Sequence, residues 1–79
     1  MWYVYFLELK NGDIYVGSTS DLRRRIASHQ RGQVMATRAL VPVELRSYVA
    51  VETEKLARDL EHYFKSGSGK ALAKKRLLA

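Results

Sequence analysis

The first part of the chain has the hydrophobic and polar pattern of a β-hairpin. Residues 2–9 form a run of aromatic and branched side chains of strand length. Asn11-Gly12 follows, and this pair is a strong hairpin-turn signal because both residues tolerate positive φ. Residues 13–16 then have the composition of the returning strand. The pattern predicts one hairpin over residues 2–17.

An amphipathic helix is predicted next, from about Asp21 to Arg31. Hydroxyl and carboxylate side chains just before it can accept hydrogen bonds from its free backbone amides. Leu22 and Ile26 lie four residues apart and should face the core, and Gly32 offers a left-handed stop. The remaining faces carry the basic residues of this segment: Arg23, Arg24, Arg25, His29 and Arg31.

The rest of the chain predicts three further elements and completes an α+β order. They are a strand over 44–50 after a loop over 33–43, a helix that begins near Glu52, and a last helix over 70–78 after a break at 66–69. We therefore expect a small three-stranded antiparallel β-sheet flanked by helices, in a single domain over residues 1–79.

The helix that begins near Glu52 has a marked apolar periodicity. Leu56, Leu60 and Phe64 recur every four residues, with Ala57 beside them, and predict a stripe that faces the core. Glu61 lies on the border of this stripe and could face a cleft.

Composition adds the chemical context. Fourteen Lys and Arg against eight Asp and Glu give a formal charge of +6, which favours polyanionic partners, above all nucleic acid. The absence of cysteine excludes disulfides and thiol chemistry. No apolar run reaches the length of a membrane span, and the first residues lack a basic signal region, so we expect a cytoplasmic protein without membrane contacts.

Five separated positions together resemble a known family. They are Tyr3-Val4-Tyr5, then Tyr15-Val16-Gly17, then Arg25 and His29 at a spacing of four, and a distant Glu61. This order is similar to the GIY-YIG nuclease domain, over essentially the whole chain, and most of all to the short stand-alone bacterial members described as GIY-YIG or excinuclease-like domain proteins.

The resemblance implies a metal-dependent DNA endonuclease with DNA repair as one setting. Glu61 would hold Mg²⁺ or Mn²⁺, and Arg25 would bind phosphate oxygens. One of Tyr5 and Tyr15, with a phenol pKa lowered by the neighbouring cation and arginine, would accept a proton from the attacking water, and the sequence leaves open which. His29 would orient or deprotonate a tyrosine, or bind a phosphate.

Further residues are predicted to contact the nucleic acid, with branched or damaged DNA among the candidate substrates. A protein partner or an oligomer of undetermined size would have to supply any sequence specificity. The predicted contact residues are Arg23, Arg24, Thr37, Arg38 and Lys65.

Two positions depart from the family pattern. Tyr3 stands where the first tripeptide has glycine, and Ser18 stands where many members have lysine. The serine puts in doubt any mechanism that needs an ammonium group at that place.

Two alternatives to a DNA endonuclease remain open. The same basic fold could bind nucleic acid without cleaving it, or it could cleave RNA, because no base-reading element is recognisable. The basic residues of the last helix could likewise be a nucleic-acid contact strip or an ordinary solvated surface.

Overall fold

A three-stranded antiparallel sheet forms the centre of the molecule. The computed structural model describes residues 1–78, and the last position of the predicted domain lies outside the described residues. The strands are β1 (Trp2–Glu8), β2 (Ile14–Thr19) and β3 (Glu44–Val51), in the spatial order β2-β1-β3. The predicted α+β fold with this sheet is confirmed.

The hairpin turn between β1 and β2 forms at the predicted Asn11-Gly12 pair. Gly12 has a φ of +89°, a backbone conformation that residues with a side chain rarely adopt. The amide of Leu9 donates to the carbonyl of Asp13 at 2.8 Å and closes the turn. The two strands therefore pair in a fixed register.

Three helices surround the sheet, and each begins behind a capping side chain. They are α1 (Leu22–Gln30), α2 (Glu54–Phe64) and α3 (Gly67–Arg76), and a short 3-10 turn spans Arg38–Leu40. The side chains of Asp21, Thr53 and Ser66 accept hydrogen bonds from the backbone amides three residues ahead.

The central strand β1 separates two apolar clusters, because successive side chains of a strand point to opposite faces. Val4 and Phe6 lie on the face that α2 and α3 cover, together with Phe64. Tyr5 and Leu7 lie on the other face. On that side, the cluster also contains Leu9, Ile26 and Val43.

The core stripe of α2 differs from the prediction by one position. Leu56 is 48% exposed, whereas Ala57 is fully buried and Leu60 packs beside it. The inward face is therefore the i, i+3, i+7 row of Ala57, Leu60 and Phe64, and not the row that starts at Leu56. This rotation also turns Glu61, four residues after Ala57, toward the sheet.

The break predicted at residues 66–69 is shorter than expected, because α3 already begins at Gly67. Gly69 lies within the helix, where a Cβ atom would come 1.9 Å from the carbonyl oxygen of Tyr63. Glycine at this position thus permits close packing of α3 on the end of α2. None of the helices within residues 1–78 is long and apolar enough to cross a membrane.

Candidate active site

Tyr5, Tyr15 and His29 form a cluster of three rings between the sheet and α1. The ring centroid of His29 lies 5.5 Å from that of Tyr5 and 5.3 Å from that of Tyr15, and the centroids of the two tyrosine rings are 6.4 Å apart. The strand register causes this arrangement, because Tyr15 pairs with Leu7 and Gly17 pairs with Tyr5. Both tyrosines therefore project from the same face of the sheet.

Gly17 provides the space that Tyr5 occupies. A Cβ atom at Gly17 would lie 2.3 Å from the Tyr5 hydroxyl oxygen and 2.5 Å from the ring carbon that carries it. The aromatic side chain of β1 thus crosses over the glycine of β2, and any larger residue would displace it. The glycine of the second tripeptide has a direct structural role in the site.

A chain of hydrogen bonds connects four side chains through this cluster. The Nε–H of Arg25 donates to the Tyr5 hydroxyl oxygen at 3.4 Å. That hydroxyl is bonded to Nε2 of His29 at 2.9 Å, and Nδ1 of His29 is bonded to Oγ1 of Thr37 at 2.8 Å. Tyr5 is 1% exposed and His29 and Thr37 are 0% exposed, whereas Arg25 is an exposed residue. The chain runs from the surface into the core.

Burial controls the protonation of the two inner ring groups. Burial raises the pKa of the Tyr5 phenol, and Arg25 offsets this only in part. In the protein alone, the pKa of Tyr5 is therefore raised, whereas the prediction concerned one of the two tyrosines beside a bound cation. Burial, with the charge of Arg25, lowers the pKa of His29 to about 4. Both groups are neutral near pH 7.

Glu61 of α2 lies on the opposite side of the sheet edge from the three rings. Its carboxylate is hydrogen-bonded to Ser18 of β2. The Ser18 hydroxyl donates to one carboxylate oxygen at 2.6 Å, and the Lys65 ammonium lies 2.7 Å from the other. Burial by itself raises the pKa of the Glu61 carboxyl. The hydrogen bonds from Lys65 and Ser18, together with the nearby cations, lower this pKa by more than burial raises it. The pKa of Glu61 therefore lies below its ordinary value. The charge of Glu61 also raises the pKa of Tyr5, so the two groups share one electrostatic environment.

The carboxylate of Glu61 could hold a divalent cation. Magnesium is commonly bound by one or two carboxylates, with waters and substrate phosphates as the remaining ligands. Within residues 1–78 no group of three His, Cys, Asp or Glu residues is arranged to hold a metal. The donor set fits Mg²⁺ or Mn²⁺ only with substrate or water ligands, and Lys65 would have to release its carboxylate oxygen.

The predicted nucleic-acid contact residues fall into two groups. Arg23, Arg24 and Arg38 are exposed, as such contacts require. Thr37 is fully buried against His29, so the structure contradicts a direct contact from its side chain. Lys65 is 51% exposed on its side chain and paired with Glu61.

A basic groove also runs beside Tyr15, between β2 and α3. Lys65, Lys70 and Lys74 line it, and Asp13 is its acidic residue. The lysines of α3 therefore lie along a groove that Tyr15 also lines. This placement favours the contact-strip interpretation of the last helix.

Sequence reasoning missed three relationships within the site. The i, i+4 spacing of Glu61 and Lys65 was a readable signal for their ion pair. The bond between Ser18 and Glu61 spans 43 positions and had no local signal. Thr37 likewise reaches His29 through the fold of an irregular loop.

The comparisons with known proteins agree with one another on the family of this chain. The GIY-YIG catalytic domain family matches residues 1–76. The UPF0213 protein of Bacillus licheniformis is 35% identical over 69 residues, which are 86% of this chain and 71% of that protein. A UPF0213 protein of Streptococcus pneumoniae is 39% identical over 64 residues, 80% of this chain and 65% of that protein.

A solved structure is similar over nearly the whole chain. The solution NMR structure of the UPF0213 protein of Bacillus halodurans has a TM-score of 0.61 and 34% sequence identity. The match covers 98% of this chain and 87% of the other. The fold, the spacing of the site residues and these relatives agree, and the chain therefore belongs to the GIY-YIG family, a family of the nuclease type.

Proposed function

We propose that the chain is a metal-dependent endonuclease that hydrolyses DNA phosphodiester bonds. The observation that carries this proposal is that the fold provides both an ionised carboxylate, Glu61, held by Ser18 of β2, and an exposed guanidinium, Arg25, bonded to Tyr5 of the neighbouring strand β1. A phosphodiester needs a cation site for its charge, a positive group for the charge that develops in the transition state, and a placed water.

Arg25 is the phosphate-binding group of the proposed mechanism. Its Nε–H is used by Tyr5, so the donors on its two terminal nitrogens are left for phosphate oxygens. A guanidinium can hold two oxygens of one phosphate, whereas a lysine ammonium acts as a point charge. We expect Arg25→Lys to retain DNA binding and to lose most of the cleavage rate.

Tyr15 is the better candidate of the two tyrosines for contact with the attacking water. The hydroxyl of Tyr5 is buried and held between Arg25 and His29, and its raised pKa keeps it neutral. Tyr15 is only partly buried and lies on the edge strand β2. For this role Tyr15 would have to act as a phenolate, the form that a divalent cation bound nearby would favour, and it would become a phenol when it takes the proton of the water. Tyr5 keeps Arg25 in place.

Glu61 is the group that would hold the divalent cation, and Ser18 orients it. The serine hydroxyl donates to one carboxylate oxygen and so fixes the plane of the carboxylate. Mg²⁺ or Mn²⁺ bound there would neutralise phosphate charge. Lys65, which pairs with the other oxygen, provides an ammonium near the place where relatives of the family carry lysine instead of Ser18.

The surface charge supports a nucleic-acid substrate. The arginines of α1 and the lysines beside Tyr15 lie on both sides of the site, and the net charge is +6. Binding through phosphate contacts weakens steeply with salt, because counterions are released. We expect DNA affinity to fall by at least about 10-fold between low and physiological salt.

The test is cleavage of supercoiled plasmid, branched DNA and single-stranded RNA by purified protein with Mg²⁺ or Mn²⁺. Glu61→Gln keeps the size of the side chain and removes its charge, and it should abolish metal-dependent cleavage. The matched control is Glu52→Gln, which makes the same change at an exposed position at the end of β3 and should cleave as the wild type does.

Each result of this assay has a defined meaning. Metal-dependent DNA cleavage that is lost in Glu61→Gln and kept in Glu52→Gln supports the proposal. Cleavage of RNA alone would make the protein a ribonuclease. DNA binding without cleavage in either metal would refute the endonuclease and favour a binding module.

A further inference from the structure

We propose that Thr37 is a positioning residue of the active site, which holds Arg25 in its phosphate-binding orientation through His29 and Tyr5. The inference rests on the proposed function, and it gives a role to a residue that contacts no substrate. Its basis is the unbroken chain of contacts from Thr37 to Arg25, with distances of 2.8, 2.9 and 3.4 Å.

The direction of these hydrogen bonds depends on the tautomer of His29. A neutral imidazole has one N–H donor and one acceptor nitrogen, and a threonine hydroxyl can donate or accept. If Nδ1 carries the proton, it donates to Thr37, and Nε2 accepts from the Tyr5 hydroxyl. The Tyr5 oxygen is then free to accept the Nε–H of Arg25.

The opposite tautomer fits the same positions less well. With the proton on Nε2, both His29 and Arg25 would donate to the Tyr5 oxygen, and the hydrogen of Tyr5 would have no acceptor among these four side chains. With the proton on Nδ1, only the hydroxyl hydrogen of Thr37 lies outside the chain of bonds. Threonine hydroxyls readily reach a carbonyl three or four residues earlier, so this hydrogen is easier to satisfy.

Because His29 and Thr37 are completely buried, the tautomer of His29 affects the contact between Tyr5 and Arg25. His29 and Thr37 are both 0% exposed, so water cannot replace the acceptor that Thr37 offers to Nδ1. Without that acceptor the proton should move to Nε2, which reverses the bond to Tyr5. The Tyr5 oxygen would then accept hydrogen bonds from both His29 and Arg25 while its own hydrogen lacked an acceptor, so the contact that positions Arg25 would be weakened.

The matched variants are Thr37→Val, which keeps the shape and removes the hydroxyl, and Thr37→Ser, which keeps the hydroxyl. Both are made with His62→Gln, because that exposed position carries the chain's other histidine and its removal leaves one imidazole signal. Long-range ¹H–¹⁵N correlation spectra near neutral pH identify which ring nitrogen is protonated. Thermal unfolding verifies that each variant is folded.

We expect the protein with Thr37 and the Thr37→Ser protein to carry the His29 proton on Nδ1, and the Thr37→Val protein to carry it on Nε2. The single-turnover cleavage rate should fall about 10-fold in Thr37→Val and recover in Thr37→Ser, with DNA affinity nearly unchanged. A His29 proton on Nε2 in the presence of Thr37 would overturn the proposal, and this measurement needs no substitution at position 37.

The cleavage assay separates this inference from the proposed function. A Thr37→Val protein that changes tautomer but cleaves at the full rate would refute the positioning role while the nuclease stands. If no variant cleaves, the endonuclease is refuted, and the tautomer spectra still decide whether Thr37 orders the His29–Tyr5–Arg25 contacts. Unchanged spectra in Thr37→Val would refute that ordering.

Discussion

Acidification is expected to destabilise the fold through one buried residue, His29. Its pKa is lowered from 6.5 to about 4 in the folded protein by burial and by Arg25. The unfolded chain therefore binds a proton as the pH falls below about 6.5, whereas the folded protein does not until about pH 4. The contribution of neutral His29 to stability is complete above pH 6.5 and is lost progressively down to pH 4.

The size of this loss of stability follows from the lowered pKa of His29. Each pKa unit corresponds to about 1.4 kcal/mol, so the full loss is on the order of 3 kcal/mol. His29 is 0% exposed, so solvent screening does not reduce the effect greatly. For a domain of this size, a loss of about 3 kcal/mol lowers the melting temperature by roughly 15 °C.

The assay is denaturant unfolding at several pH values between 7 and 4. The single tryptophan, Trp2, packs against the apolar cluster that contains Val4 and Phe6, and its fluorescence reports unfolding. The free energy of unfolding should fall with a slope of up to about 1.4 kcal/mol per pH unit. His29→Gln keeps a donor and an acceptor for Tyr5 and Thr37 but has no titrating group, so its slope should be much smaller.

His62→Gln is the control, because it removes a histidine from an exposed position of α2. It should retain the slope of the wild type. Glu61 also has a lowered pKa, but its contribution is lost at lower pH and is common to all three proteins. A free energy of unfolding that does not change between pH 6.5 and 4, or a wild-type slope in His29→Gln, would refute the reasoning.

Four further substitutions test the packing of the site and the helices. Gly69→Ala should cost at least about 2 kcal/mol in denaturant unfolding, because its Cβ cannot fit against the end of α2, and a cost under about 1 kcal/mol would contradict that close approach. Gly17→Ala should displace the Tyr5 ring and lower the cleavage rate by about 100-fold while circular dichroism shows a retained fold, and wild-type cleavage would contradict the role of this glycine. Leu60→Ala should cost about 2 kcal/mol and Leu56→Ala less than about 1 kcal/mol, and equal costs would refute the observed rotation of α2.

The strands and the first helix could be predicted because their signals are local. The Asn11-Gly12 turn, the aromatic and branched run of β1 and the cap at Asp21 each depend on residues within a few positions of one another. The rotation of α2 could not be predicted in the same way. Leu56 and Ala57 both belong to plausible apolar stripes, and only the space beneath the helix decides which of them faces the sheet.

The family resemblance determined which residues meet, but not what they do to one another. The resemblance implied that Tyr5, Tyr15, Arg25 and His29 would share a site. It could not indicate that burial raises the pKa of Tyr5, because desolvation depends on every residue packed around the ring. The expected lowering of a tyrosine pKa considered only a neighbouring cation and arginine.

The sequence by itself determined the hairpin, the cap of the first helix, the basic surface and the positions that match the family. Only the tertiary structure decided the partners of the site residues: Ser18 and Lys65 for Glu61, and Thr37 for His29. The physical reason is distance along the chain. Turns and caps form between neighbours, whereas the burial and hydrogen bonding of an active site arise between segments that only the completed fold brings together.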